Sequence, residues 1–258
     1  MPVAFGLFAH PDDLEFRAAG TLLLLRQAGW DLHYCNLASG NLGSTTQAPV
    51  ETARTRAAEA RAAAELLGAM WHPPLADDLS IHYTDDNLRR ICSLIRRVQP
   101  TAIFTHPPQD YMEDHMITCR LVVTAAFARG IPNYVSDPPA APSLAPVTIY
   151  HSAPHGLCGP LREPWAPEFW VDVTPVHVRK LAALACHRSQ QDWLDASQGL
   201  NGYLAAAEAD SRESGRRSGA FRWAEGFTRH LHLGFGGEAD DPVRQSVGAG
   251  MTTGAVRA

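Results

Sequence analysis

Two short stretches of this chain carry residues that could activate water. The first, Ala9-His10-Pro11-Asp12-Asp13-Leu14-Glu15-Phe16, sets an imidazole beside two adjacent carboxylates. The second, Thr105-His106-Pro107-Pro108-Gln109-Asp110-Tyr111-Met112-Glu113-Asp114-His115, again delivers imidazole and acidic groups. His10 and Asp13 are three residues apart at the start of a helical pattern, so both can turn towards one point. His115 can meet them there. Two imidazoles and one carboxylate form a three-ligand zinc set with a fourth position open for water, as catalytic sites require. Zinc lowers the pKa of such a water to about 7. A base must still take its proton, and Asp12, next to a ligand but aimed elsewhere, is the candidate. Each group alone has a plainer use. An isolated His is commonly a hydrogen-bonded structural residue, and Asp12 or Asp13 can cap the following helix. The recurrence of the same groups in two segments argues for one site.

The elements that must position these residues alternate as strand and helix. Val3 to Phe8 reads as a buried parallel strand. Arg17 to Gly29 reads as a helix, with Leu22, Leu23, Leu24 and Leu25 in its pattern and Gly29 as its stop. The turn between them lies at the carboxyl edge of an open α/β sheet, where ligands bind. A second strand, Asp31 to Ala38, ends in the small polar loop Ser39 to Ser44, which reads as part of a pocket wall. Glu51 to Gly68 is Ala-rich and helical, and on its residues alone Arg56 belongs to a salt-bridged solvent face with Glu59. Met70 to Leu79 gives a short strand and an acidic turn, Asp77-Asp78. Asn87 to Val98 is an amphipathic helix. Pro100 to Phe104 is a fourth strand, and the helix from Glu113 to Ala128 follows the second rich segment. Pro132 to Pro146 is a loop, and Val147 to His151 and Phe169 to Val173 are further strands. Thr174 is expected to cap a helix with Pro175 at its first position, running to His187. Asn201 to Arg217 is another helix, and Trp223 to Phe227 opens the last ordered element. The pattern is one α/β domain over residues 1–236, with a flexible tail at 237–258.

Composition narrows the function classes. The 258 residues suffice for one domain with a full central sheet. A formal charge of -5 and no basic run argue against nucleic acid or an anionic membrane surface as partner. No apolar stretch has the length of a membrane span. The chain enters its first strand with no charged leader or cleavage site, so no signal peptide is expected. The five cysteines, Cys35, Cys92, Cys119, Cys158 and Cys186, include no CxxC pair. Neither a thiolate zinc site nor a disulfide framework is expected, and the compartment reads as cytoplasmic.

The stretches Ala9-His10-Pro11-Asp12-Asp13 and Tyr111-Met112-Glu113-Asp114-His115 resemble the PIG-L/LmbE-like family of zinc-dependent N-deacetylases. Further matches are Gly20-Thr21-Leu22, Arg56 to Glu59 with Leu67-Gly68, Lys180 to Ser189-Gln190, and Ala224 to Phe227, so the resemblance spans residues 3 to about 230. It implies a Rossmann-like, lactate-dehydrogenase-type sheet and removal of acetyl groups from N-acetylated amino sugars such as N-acetylglucosamine. It also implies one Zn2+ per chain on His10, Asp13 and His115, Asp12 as general base, and Arg56 at the sugar. Asp110 and Asp114 are assigned to substrate binding, and a homo-oligomer is plausible for such a chain. The second motif departs from the family. Many members carry His-Pro-Asp-His there, whose first His polarises the tetrahedral intermediate, and Met112 can neither donate a hydrogen bond nor carry charge. His106, His151 and His155 are the candidates to replace it, unless zinc acts alone. The alternatives are hydrolysis of another small amide, a hydration reaction at the same zinc site, or a non-catalytic sugar- or nucleotide-binding module. The missing Gly-rich fingerprint weighs against the nucleotide version.

Overall fold

The computed structural model describes residues 1–191, 193 and 202–254. Strands β1 (Val3–Phe8), β2 (Asp31–Asn36), β3 (Ala69–His72), β4 (Ala102–Thr105) and β5 (Thr148–Ser152) run parallel, in spatial order β3-β2-β1-β4-β5. Beyond β5, the strands β7 (Ala224–Arg229), β6 (Phe169–Asp172) and β8 (Met251–Thr253) extend the sheet in antiparallel fashion. The helices are α1 (Asp13–Arg17), α2 (Ala19–Gln27), α3 (Pro49–Leu67), α4 (Asp85–Val98), α5 (Glu113–Ala128), α6 (His177–Leu184), α7 (Tyr203–Ser218) and α8 (Pro242–Val247). The expected single α/β domain with a mostly parallel sheet is what the chain adopts.

Alternation along β1 explains why helices cover both faces. Ala4 and Phe8 join the core that includes Leu22, Leu23 and Ala64 of α2 and α3. Phe5 and Leu7 join the opposite core with Ile91 and Ile95 of α4 and Val122 of α5. Gly6 faces Leu14, and a Cβ there would run into that side chain, so the glycine lets α1 lie close on the strand. Strand order reverses at β1, which has β2 on one side and β4 on the other. That reversal opens the crevice in which open α/β sheets bind ligands. The segments following β1 and β4 are the two rich in His and Asp.

Three matches noted separately in the sequence meet in one buried cluster. The Glu225 carboxylate accepts from the Gly20 and Thr21 amides at 2.9 and 2.8 Å, so it caps the N-terminus of α2 from β7. It also accepts from Lys180 Nζ of α6 at 2.8 Å. Lys180 and Glu225 are 1% and 3% exposed, so neither charge can turn to water. Removing one partner of such a pair typically costs about 3–5 kcal/mol, because the other charge stays buried and unpaired. Lys180→Met is expected to lower the urea midpoint accordingly, and Lys180→Met/Glu225→Gln to recover part of the loss. A single variant within about 1 kcal/mol of wild type would show that the pair is not holding α2, α6 and β7 together.

The structure differs from the sequence reading at several ends. Thr174 does not cap a helix: Thr174–Val176 is one short turn before α6, and the Thr174 amide is held by Asp172 Oδ1 at 2.9 Å. The helix expected from Asn201 begins at Tyr203, and Asn201 lies outside the described residues. The larger difference concerns 237–258, expected as a flexible tail, of which 255–258 lie outside the described residues. Asp241 caps α8 through the Arg244 amide and accepts the Tyr150 hydroxyl at 2.8 Å. Val243 is fully buried, and β8 pairs with β6 along Phe169, Trp170 and Val171. This segment closes the sheet edge, up to the last described residue. Among the described residues no helix is long and apolar enough to cross a membrane.

Candidate active site

The exit from β1 is a strained turn. Asp12 has φ 112° and ψ −26°, a region that non-glycine residues occupy only when their surroundings impose it. Two clamps impose it here. Arg56 donates from Nη2 to the Pro11 carbonyl at 2.6 Å, and the Tyr203 hydroxyl donates to Asp12 Oδ2 at 2.7 Å. Arg56 is 3% exposed, so the solvent face expected for it from α3 alone is wrong. Its Nη1 also donates to the Gly40 carbonyl, and Gly40, at φ 74°, leaves the room that the guanidinium fills. Glu59, the partner expected for it, instead accepts from the amide and hydroxyl of Ser189.

His10, Asp13 and His115 converge. Asp13 Oδ2 lies 3.5 Å from His10 Nδ1 and 3.4 Å from His115 Nε2. The edge of a tetrahedron with zinc–ligand bonds of about 2.0–2.1 Å is about 3.3–3.4 Å, so these separations suit a shared ion. Each imidazole turns its other nitrogen to a carboxylate: His10 Nε2 to Asp114 at 3.0 Å, and His115 Nδ1 to Asp110 at 3.0 Å. That back-side bonding is how metal-ligating histidines are oriented. The electrostatics agree. Burial opposes protonation of His10, yet the bonds to Asp114 and Asp13 raise its pKa to about 10. Asp13 is held well below the usual carboxylate range: burial pushes it up, and His115 and His106 outweigh that. The pocket calls for positive charge at its centre, and the donor set fits a divalent metal.

Asp110 and Asp114, expected at the substrate, both bond the histidines of the site. Asp110 borders the cleft, but its Oδ1 is committed to His115 and to the Met112 amide. Asp114 sits behind His10 and also takes the Leu79 amide at 2.8 Å. Loss of such an outer partner typically weakens metal binding about 10–100-fold. Asp114→Asn is therefore expected to raise the dissociation constant for zinc by that factor, read by competition with a chromophoric chelator. Unchanged affinity would detach Asp114 from the metal centre.

Of the three replacement histidines, two border the cleft and one does not. His106 stacks on His115 at 4.0 Å between centroids, and its Nε2 accepts the Ala9 amide at 3.0 Å. His151 is buried, with Nδ1 donating to the His106 carbonyl and Nε2 meeting His230 Nδ1, and it is not among the described residues lining the cleft. His106 and His155 both line it. The cleft has a volume of about 340 Å³, within the lower part of the range for small-molecule sites. His10, Asp12, Asp13 and Arg56 border it, and Phe16, Leu42, Leu79, Tyr111, Met112 and Trp193 supply its apolar surface.

Comparison with known proteins agrees with this geometry. Residues 6–126 match the PIG-L family, described as GlcNAc-PI de-N-acetylase. A 4-oxalmesaconate hydratase of Pseudomonas putida is 31% identical over 193 residues, covering 71% of this chain and 72% of the relative. The chain belongs to the PIG-L family. Diacetylchitobiose deacetylase of Thermococcus kodakarensis is 29% identical over 192 residues, 70% of this chain and 67% of the relative. The crystal structure of a 4-carboxy-2-hydroxymuconate hydratase from Pseudomonas putida superposes with a TM-score of 0.71 at 26% identity, covering 90% of this chain and 97% of that one. Both chemistries, deacetylation and hydration, therefore occur among proteins similar to this PIG-L chain.

Several residues around the PIG-L motifs carried no sequence signal of their role. Tyr203 reaches Asp12 across 191 residues of chain. Glu15 is fully buried, with His187 Nε2 at 3.1 Å and the Tyr34 hydroxyl at 3.3 Å. Arg17, 8% exposed, faces both His155 and Asp210. Asp12 itself has a raised pKa: burial dominates, and Arg56 opposes it. That is the direction a general base needs.

Proposed function

We propose that this chain is a metal-dependent hydrolase that removes an acetyl or other acyl group from an N-acylated amino sugar or sugar conjugate. The observation that carries the reading is the convergence of His10, Asp13 and His115, with Asp12 clamped beside them on the floor of one cleft. A divalent metal held by those three residues supplies Lewis acidity, which acidifies a water and polarises a carbonyl. Tyr203 occupies Oδ2 of Asp12, so Oδ1 is the oxygen left to take the proton of the attacking water. The same carboxyl then returns that proton to the departing amine. Arg56, anchored on the Pro11 and Gly40 carbonyls, has an Nε that is buried without a hydrogen-bond partner among the described residues. Arg56 also borders the cleft, and its charge suits a substrate oxygen. The apolar wall of Phe16, Tyr111 and Trp193 suits the C–H face of a sugar ring.

The test is release of free amine from N-acetylglucosamine and N,N′-diacetylchitobiose by zinc-loaded protein, followed with an amine-reactive fluorophore. A second reading is hydration of an unsaturated carboxylate by the same base and metal. The hydratase at 31% identity favours it, as does Met112, which leaves the usual oxyanion donor of the deacetylases missing. Loss of the conjugated absorbance of 4-oxalmesaconate, with no amine released from either sugar, would select hydration.

A further inference from the structure

We propose that His155 is the neutral hydrogen-bond donor of this cleft, fixed in its Nε2–H tautomer by Arg17, and that it takes the part Met112 cannot play. The inference rests on the hydrolytic reading. Arg17 Nη2 lies 2.7 Å from His155 Nδ1, and Arg17 Nη1 lies 3.2 Å from Asp210 Oδ2. A guanidinium has donors only, so at that distance Nδ1 must present its lone pair. The single proton of the neutral ring is then on Nε2. The ring is framed by Phe16 and Tyr111, with centroids 6.4 and 5.7 Å away, and Tyr111 in turn stands 5.6 Å from His115. Arg17 is 8% exposed and held by α1, whose first residue is Asp13, so the donor is tied to the helix that carries a metal ligand.

The charges around the ring keep it neutral. Burial lowers the pKa of His155, and Arg17 lowers it further. Asp210, Asp110 and Asp13 pull the other way without prevailing. A neutral imidazole that polarises a carbonyl has precedent in triosephosphate isomerase, where the pKa of the catalytic histidine is likewise lowered. Here Nε2–H donates to the carbonyl oxygen as negative charge gathers on it. The proton stays on Nε2 throughout, and no bond to His155 is made or broken. His151 cannot do this, because both of its ring nitrogens are engaged, with the His106 carbonyl and His230, and His106 has its Nε2 taken by the Ala9 amide.

The experiment combines a spectrum with kinetics on zinc-loaded protein. Long-range proton–nitrogen correlation of histidine-labelled protein reports tautomer and charge, and the His155 signal is assigned by its loss in His155→Gln. The expected result is an Nε2–H tautomer that stays neutral below the ordinary histidine value of about 6.5. In Arg17→Met the same ring is expected to mix tautomers and to titrate at a higher pH than in the wild type. With N,N′-diacetylchitobiose, His155→Ala is expected to lower kcat about 10²–10³-fold with KM and zinc content unchanged. His155→Gln, whose amide keeps a donor, recovers part of it. An Nδ1–H tautomer, a charged ring at neutral pH, or wild-type kcat in His155→Ala in an otherwise active enzyme overturns this proposal alone. An Nε2–H tautomer in a protein that releases no amine overturns the hydrolytic reading and the donor role with it.

Discussion

Asp12→Asn is expected to keep its metal and lose turnover by about 10²–10⁴-fold, the usual range for general acid–base catalysis. The substitution is chosen for what it leaves alone. Asparagine tolerates left-handed backbone almost as well as any residue with a side chain, so the φ of 112° at this position is not made worse. Its amide oxygen can still accept the Tyr203 hydroxyl, which keeps the side chain where it is. What disappears is the capacity to take a proton. The carboxylate is also the part of the turn that burial penalises, so Asp12→Asn should unfold no earlier than wild type on heating. Metal content, melting temperature and kcat on one preparation separate the contributions. Near-normal turnover with full metal would remove Asp12 from the role of base.

The turn around Asp12 also shows how far a sequence can be read. His10, Asp12 and Asp13 were legible because strand, turn and first helical residues lie within one local stretch, where spacing fixes direction. His115 was legible for the same reason, since α5 spans Glu113–Ala128 as its pattern indicates. Tyr203 was not, because nothing near it in the chain says which helix face meets β1. The Glu225 cap on α2 joins residues 205 apart, and the Arg17–His155 pair joins residues 138 apart. The first depends on how the antiparallel strands β6 and β7 return after β5, and the second on where the exit of β5 lies beside α1; hydrophobic periodicity encodes neither. Asp110 and Asp114 were visible, but their bonds to the histidines were not. The two carboxylates meet the far nitrogens of His10 and His115, and the Asp114 pairing joins β1's exit to α5, which local spacing does not encode. The C-terminal segment is a different failure. Asp241-Pro242 is an N-cap and first-turn signal of the kind used at Thr174-Pro175, and the surrounding glycines masked it.

His115→Ala carries the largest expected effect, loss of the bound metal and with it all metal-dependent turnover. Two remaining ligands, His10 Nδ1 and Asp13 Oδ2, cannot supply the three protein donors that catalytic zinc sites use. The loss should exceed the 10–100-fold expected for the outer carboxylate Asp114. Thermal unfolding gives a reading independent of substrate. A ligand that binds only the folded state adds about 2.7 kcal/mol at one hundred times its dissociation constant, so zinc should raise the wild-type melting temperature. It should leave that of His115→Ala unmoved. One neighbour could mask the result. His106 Nε2 lies 3.3 Å from Asp13 Oδ2, as near as His115 does, although the Ala9 amide occupies its lone pair. If His115→Ala retains metal, His106→Ala on top of it distinguishes the cases. Metal lost only in the double variant means that His106 gave up the Ala9 bond to serve as a substitute ligand. Metal retained in both would place the ion away from these histidines altogether.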